Sequence, residues 1–120
     1  MKHHTPPVGV ISQFMVRPTE EHLQCAQHVL RYVSGTKDWG LLYQTGTCMQ
    51  LVGYTDANWV GNAADRRSTS GYTFSLGSAA IMWSSKKQPT VALSSTEAEY
   101  RGAAVATCEA IWLKRLLKDL

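Results

Sequence analysis

Met49-Gln50-Leu51-Val52-Gly53-Tyr54-Thr55-Asp56 reads as a strand, with Val52, Tyr54 and Asp56 on one face and Leu51 and Thr55 on the other, and it ends on an acidic residue. Working outward, Gly71 to Leu76 repeats the alternation: Tyr72, Phe74 and Leu76 interleave with Thr73 and Ser75, the mark of a half-buried strand. Gly77-Ser78 is a tight turn, and Ala79 to Ser84 returns as a third strand with Ile81 and Trp83 expected on one face. Between the first two strands, Ala57 to Ser70 is a polar loop containing Gly and Asn, and Lys86-Lys87-Gln88-Pro89 closes the meander. Three short strands need a partner layer for the face they bury.

The C-terminal third supplies that layer. From Ser94 to the last residue, Ala98, Gly102, Val105, Ala106, Ala110, Leu113, Leu117 and Leu120 recur at steps of three and four, which is one face of a long helix. The predicted class is α+β: N-terminal helices, an antiparallel three-stranded meander and a long C-terminal helix. At the N-terminal end, Val8 to Val16 is either a short helix or the remainder of a longer one, ended by Arg17-Pro18. Thr19 is a natural N-cap, Glu20 and Glu21 put negative charge in the first turn, and Leu23, Ala26, Leu30 and Val33 hold helical spacing until Gly35. A second helix is predicted over 19–34, and Leu41 to Gln44 is a brief strand candidate.

The 120 residues suit one small domain or pieces of two. With 44% hydrophobic and 18% charged residues the chain is too apolar for a disordered segment. It has no apolar run near the roughly 18 residues needed to span a bilayer and no signal-like start, so a membrane partner is not expected and the reading is intracellular, cytoplasmic or nuclear. Cys25, Cys48 and Cys108 are scattered and form no CxxC pair, which argues against zinc or redox chemistry. The net charge of +3 is mild, and its small basic groups (Arg66-Arg67, Lys86-Lys87, Lys114-Arg115 with Lys118) fit a solvated face as well as phosphate contact.

Two acidic residues stand out by position. Ser94-Ser95-Thr96-Glu97 has the capping-box form, in which Glu97 would bond back to the backbone of Ser94. Glu99 lies about 200° further round the helix, so the two carboxylates face different ways, and Glu99 is the one left free. An Asp at a strand end with a Glu one turn into the packing helix is a candidate metal-binding pair of hard oxygen ligands, although two of nine acidic residues are more often surface charges. His22 and His28 are six residues apart on different helix faces, expected to be solvated rather than to share a metal. The serines lack a GxSxG context and a placed His, which excludes a serine hydrolase.

The runs Gly53-Tyr54-Thr55-Asp56-Ala57-Asn58-Trp59-Val60-Gly61, Asp65-Arg66-Arg67-Ser68-Thr69-Ser70-Gly71-Tyr72 and Trp83 to Tyr100 (WSSKKQPTVALSSTEAEY) closely resemble the RNase H region of copia-type retrotransposon polyproteins. Phe14 to Thr36, with Arg17-Pro18-Thr19 and Leu30-Arg31-Tyr32-Val33-Ser34-Gly35-Thr36, resembles the connecting segment after reverse transcriptase in the same polyproteins. The resemblance implies a division into 1–40, a helical remnant of that connection, and 41–120, the N-terminal part of an RNase H-like domain. It also implies that Asp56 and Glu99 are catalytic, metal-binding carboxylates, with Glu99-Tyr100-Arg101-Gly102-Ala103 matching the family's helix pattern and agreeing with the capping argument.

The chemistry so implied is cleavage of RNA in RNA/DNA hybrids by two Mg²⁺ (or Mn²⁺) ions roughly 3.5 to 4 Å apart. The family takes its third carboxylate from a fourth strand that pairs beside the first. This sequence reaches Leu120 before such a strand, so the expectation is a truncated RNase H-like fold, a metal site too poor in ligands to act alone, and an open edge along Leu51 to Asp56 prone to self-association or partner binding. Arg66, Arg67 and the hydroxyls of Ser68, Thr69 and Ser70 would lie near the hybrid's backbone by the same resemblance. Asn58 and Asn62 stand where the family commonly has Asp, neither at a metal-binding position. Three readings result: an inactive fragment, a ribonuclease completed by another chain, and a non-catalytic module binding nucleic acid or protein.

Overall fold

The computed structural model describes residues 8–46, 48–58 and 66–120, and the chain divides into two compact units, Met1–Gly40 and Leu41–Leu120. The opening Met1 to Pro7 and the loop positions Trp59 to Asp65, Asn62 included, lie outside the described residues.

In the first unit, α1 (Val8–Ile11) runs into a single 3₁₀ turn at Ser12–Phe14, and α2 covers Glu20–Gly35. Thr19 caps α2 as expected, through a partner the sequence reading missed. The Nδ1 of His22 accepts the Thr19 N–H at 3.0 Å and lies 2.8 Å from Thr19 Oγ1, and the ring stacks on Phe14 with centroids 4.1 Å apart. His22 is thus a capping residue and not a solvated one. The predicted stripe exists, but its large members stay exposed among the described residues, with Leu30 67% and Val33 55% accessible.

The second unit holds the meander. β1 (Leu51–Asn58), β2 (Thr69–Leu76) and β3 (Ala79–Lys87) form an antiparallel sheet in the order β1-β2-β3, with Asp56 opposite Gly71 and Phe74 opposite both Gly53 and Met82. Gly77 carries a φ of 62° in the two-residue turn between β2 and β3, a conformation a side chain would strain. Opposite Phe74 and Ser75 the register slips by one residue, leaving Ile81 as the extra residue of a bulge. The slip breaks the alternation: Ile81 and Met82 both pack against the core, while Trp83 is turned to the other face and is 67% exposed, so Ile81 and Trp83 do not share a face. Leu41 to Gln44 forms no strand. It is tied alongside the hairpin by Tyr43 Oη donating to Ala80 O (2.6 Å) and by Ser78 Oγ, which accepts from Gln44 N and donates to Leu42 O (both 3.1 Å).

The single long helix, α3 (Ser95–Asp119), lies across β1 and β2. Its contact point is Gly102: a Cβ there would stand 3.2 Å from Ser70 Oγ on β2 and 3.6 Å from the Ala57 Cβ on β1. Ala98, Gly102, Ala106 and Leu113 are its buried residues, and Phe74, Ala106 and Leu113 form a core around which Leu51, Tyr72, Ile81, Met82 and Ala110 pack. The residues facing the sheet are small because the helix backbone approaches it closely.

Gln88, one residue past β3, locks these layers together. It is 5% exposed. Its Nε2 donates to Ser70 Oγ (2.7 Å) and to Ala98 O (2.8 Å), and its backbone N–H donates to Ser68 O (2.8 Å). One side chain thereby joins β2, the end of β3 and the first turns of α3. Lys86-Lys87-Gln88-Pro89 was expected only to close the meander; its Gln is a buried joint.

The start of α3 is half the expected box. Ser94 Oγ accepts from Glu97 N (3.1 Å), but the Glu97 carboxylate reaches Leu93 N (2.6 Å) rather than Ser94 and also pairs with Arg101 (2.6 Å), which in turn holds the hydroxyl and carbonyl of Thr90. The Leu93 N–H, then the Arg101 charge, hold the Glu97 carboxyl below the ordinary glutamate range.

Two outcomes are expected. Gln88→Ala leaves Ala98 O and Ser70 Oγ without their buried donor and lowers unfolding free energy by about 2 to 3 kcal/mol, read from the urea midpoint. Because folding depresses the Glu97 pKa, its contribution is complete above the ordinary glutamate range and is lost as pH falls through the lowered folded value. A Glu97→Gln variant is therefore less stable at neutral pH and shows a smaller loss of stability on acidification, which thermal melts across that window check.

Candidate functional site

Asp56 lies near the end of β1 and Glu99 in the second turn of α3. The Gln50 carbonyl accepts from Gly77 N (3.1 Å) on the β2 side, so the even-numbered backbone groups of β1 point toward β2 and the odd-numbered ones point out of the open edge. The outward N–H of Ala57 is taken by Asp56 Oδ1 at 2.9 Å, which turns the carboxylate toward that edge. As a strand neighbour of Ala57, Asp56 leaves the sheet on the face opposite α3, beside Tyr54, Thr73 and Trp83.

Glu99 approaches from the helix layer. It lies one turn before Ala103, and Ala103, Thr107 and Ala110 line a groove of about 310 Å³ with Leu51, Gly53 and Thr55 of β1. The Glu99 side chain is exposed and shares that flank, beyond the level at which Gly102 meets Ala57. Glu97, by contrast, is committed to Leu93 and Arg101 on the side toward Thr90. The two carboxylates singled out from the sequence thus lie on opposite sides of the sheet, Asp56 on the face away from α3 and Glu99 on α3 itself, and each offers oxygen ligands of the kind a hard divalent cation such as Mg²⁺ or Mn²⁺ takes. Among the described residues, no group of three or more His, Cys, Asp or Glu is placed to hold a metal.

The residues expected near a phosphate backbone separate in the structure. Arg66 and Arg67 are exposed, with Arg66 at a φ of 52°. Thr69 and Ser70 are half-buried, and the Ser70 hydroxyl is engaged by Gln88. Ser68 is completely buried, so its hydroxyl faces the interior and cannot meet a phosphate from there. The sequence carried no signal for this, since Ser before a strand is ordinarily a solvated loop residue.

Comparison with known proteins places the chain. It is 51% identical over 88% of its length to Secreted RxLR effector protein 161 of Plasmopara viticola, covering 75% of that protein. It is 48% identical over 94% of its length to the retrovirus-related Pol polyprotein from transposon RE1 of Arabidopsis thaliana, and 45% identical over the same share to that from transposon TNT 1-94 of Nicotiana tabacum. The chain spans 8% of the length of each of these polyproteins. No protein-family model and no solved structure matches it. Among the described residues no helix is long and apolar enough to cross a membrane. The chain belongs to the copia-type retrotransposon Pol family.

Proposed function

We propose that this chain is the RNase H-like segment of a Pol-derived protein and that Asp56 and Glu99 are two carboxylates of a divalent-metal site for phosphodiester hydrolysis in RNA/DNA hybrids. What supports this reading is the similarity to Pol polyproteins over nearly the whole chain, with Asp56 turned to the edge of β1 by the Ala57 N–H and Glu99 exposed near the start of α3. When bound, Mg²⁺ or Mn²⁺ would supply activation of a water and stabilisation of the leaving oxygen. The chain's own part is to hold the carboxylates at the edge. The Gln88 clip fixes the start of α3, and the Ala57 N–H orients Asp56. Arg66 and Arg67 would meet backbone phosphates, positioning the hybrid without reading its sequence.

Two carboxylates fall short of what two ions need, so the chain alone is expected to hold one ion weakly and to cleave negligibly. The second unit, 41–120, carries this site, and the first, 1–40, corresponds in this reading to the connection after reverse transcriptase. A second reading is favoured by one comparison: the segment matches 75% of the length of the effector, a protein far shorter than Pol. Here the fold serves as a non-catalytic binding module, its contacts with nucleic acid needing no metal.

The test is cleavage of a labelled RNA/DNA hybrid by folded protein with Mg²⁺ or Mn²⁺, beside Asp56→Asn and Glu99→Gln. The proposal expects no cleavage above background from the chain alone. It also expects metal-dependent cleavage when a carboxylate-bearing segment of a Pol relative is added in trans, abolished by either substitution. Cleavage that survives both substitutions would remove Asp56 and Glu99 from the site. Hybrid binding that falls with salt, needs no divalent ion and is unchanged in Asp56→Asn would favour the binding module.

A further inference from the structure

We propose that the cleft between β3 and α3 binds a guanine nucleotide, with Glu109 reading the base and Lys86 taking the phosphate. The inference goes beyond the function above. The cleft lies on the flank of α3 away from β1, wholly within the second unit.

The cleft follows from the seating of α3. Gly102 rests on Ala57 of β1 and Ser70 of β2, so the helix covers those two strands and stops short of the later half of β3. Ser70 and Tyr72 share the α3-facing side of β2, and their cross-strand partners are Lys86 and Ser84. These two residues floor a cleft of about 540 Å³, whose far wall is the flank of α3 carrying Arg101, Val105 and Glu109. A spacing of four keeps those three on one line down the helix, and the volume is that of an ordinary small-molecule site.

The two ends differ in chemistry. Beside Gly102, the Lys86 ammonium is exposed and has no hydrogen bond or ion pair among the described residues. The Arg101 guanidinium stands at the same end, held by Thr90 and Glu97. Gln88 closes that end, and its buried Oε1 lacks a donor among the described residues. At the other end Glu109 is half-buried and equally without a partner among the described residues. A carboxylate removed from water in part is favourable only when N–H or O–H groups donate to it. Between the ends, the Tyr72 ring on the sheet side and Val105 on the helix side offer apolar surfaces.

One nucleotide meets all of these demands. Seven helix residues from Gly102 to Glu109 make about 10 Å, the span of a nucleoside 5′-phosphate from base edge to phosphate. Laid along the cleft, the phosphate meets Lys86, the ribose passes Ser84, and the base lies between Tyr72 and Val105 with its outer edge at Glu109. Guanine fits that edge because its ring N–H and its amino group lie side by side and both donate to one carboxylate. Adenine and cytosine set an acceptor beside their amino group, and uracil flanks its single N–H with two carbonyls, so each turns a lone pair toward the carboxylate. The opposite orientation places phosphate against Glu109. A free mononucleotide and an unpaired guanosine in a single strand carry this same group.

The experiment is calorimetric titration of the full chain, in EDTA, with GMP, AMP, CMP, UMP and guanosine, and with short oligouridylates that contain one guanosine or none. Lys86→Ala and Glu109→Gln are run beside it, each checked for folding by circular dichroism. GMP is expected to bind about ten-fold or more tighter than the other three nucleotides, the discrimination of a bidentate base contact. Glu109→Gln should bring GMP down to the level of AMP. Lys86→Ala should weaken GMP about ten-fold while leaving guanosine, which has no phosphate, unchanged. Tighter binding of the guanosine-bearing strand than of GMP supports the proposal with a single strand as the source, and the reverse supports it with a free nucleotide. Absence of binding, equal binding of the four nucleotides, a guanine preference that survives Glu109→Gln, or a phosphate contribution that survives Lys86→Ala would overturn it. With no divalent ion present, its failure is distinct from failure of the metal site.

Discussion

The side chain of Gln88 is the joint on which the second unit depends. It is a neutral amide in a nearly dry position, and both of its N–H groups are used, one on Ser70 Oγ and one on the carbonyl of Ala98. A buried amide is favourable only when its donors are satisfied. That condition is met only with α3 seated on β2 at one height and rotation. The seat is close because the residue beneath is Gly102, and it is narrow because Ala98 and Ala106 continue the small face above and below it. Apolar packing of Phe74 and Leu113 drives the layers together, whereas the Gln88 bonds fix their register.

That register determines what reaches the edge of β1. With Gly102 over Ala57, Glu99 lies one turn beyond the contact, on the flank that looks past the strand. Asp56, on the far face, turns back to the edge because its carboxylate takes an N–H left unpaired by the absence of a neighbour on that side among the described residues.

Much of this was legible in the sequence because it rests on periodicity. Period-two alternation in Tyr72-Thr73-Phe74-Ser75 and three-and-four spacing from Ala98 to Leu113 are direct consequences of a face being buried. Asp56 and Glu99 could be singled out by position and the family by the resemblance of long motif runs. What stayed hidden depends on contacts between residues distant in the chain. The bulge at Ile81 redirects Trp83 without any Gly or Pro to announce it. Leu41 to Gln44 has strand-like residues but finds hydroxyl and side-chain bonds in place of a ladder. His22 caps a helix only because Phe14 lies under its ring. Ser68 and Gln88 are buried although their types are ordinarily exposed, since burial follows from the close approach of α3.

The proposed function requires that Asp56 and Glu99 take up one divalent ion together. Titrating Mn²⁺ into isotopically labelled protein and following paramagnetic broadening of the backbone amides tests it most directly. The account predicts that Asp56, Ala57 and the Glu99–Tyr100 amides broaden together at the lowest metal concentrations, and that Asp56→Asn abolishes the effect at both segments. Broadening confined to one segment, or unchanged around Glu99 when Asp56 is replaced, would contradict it.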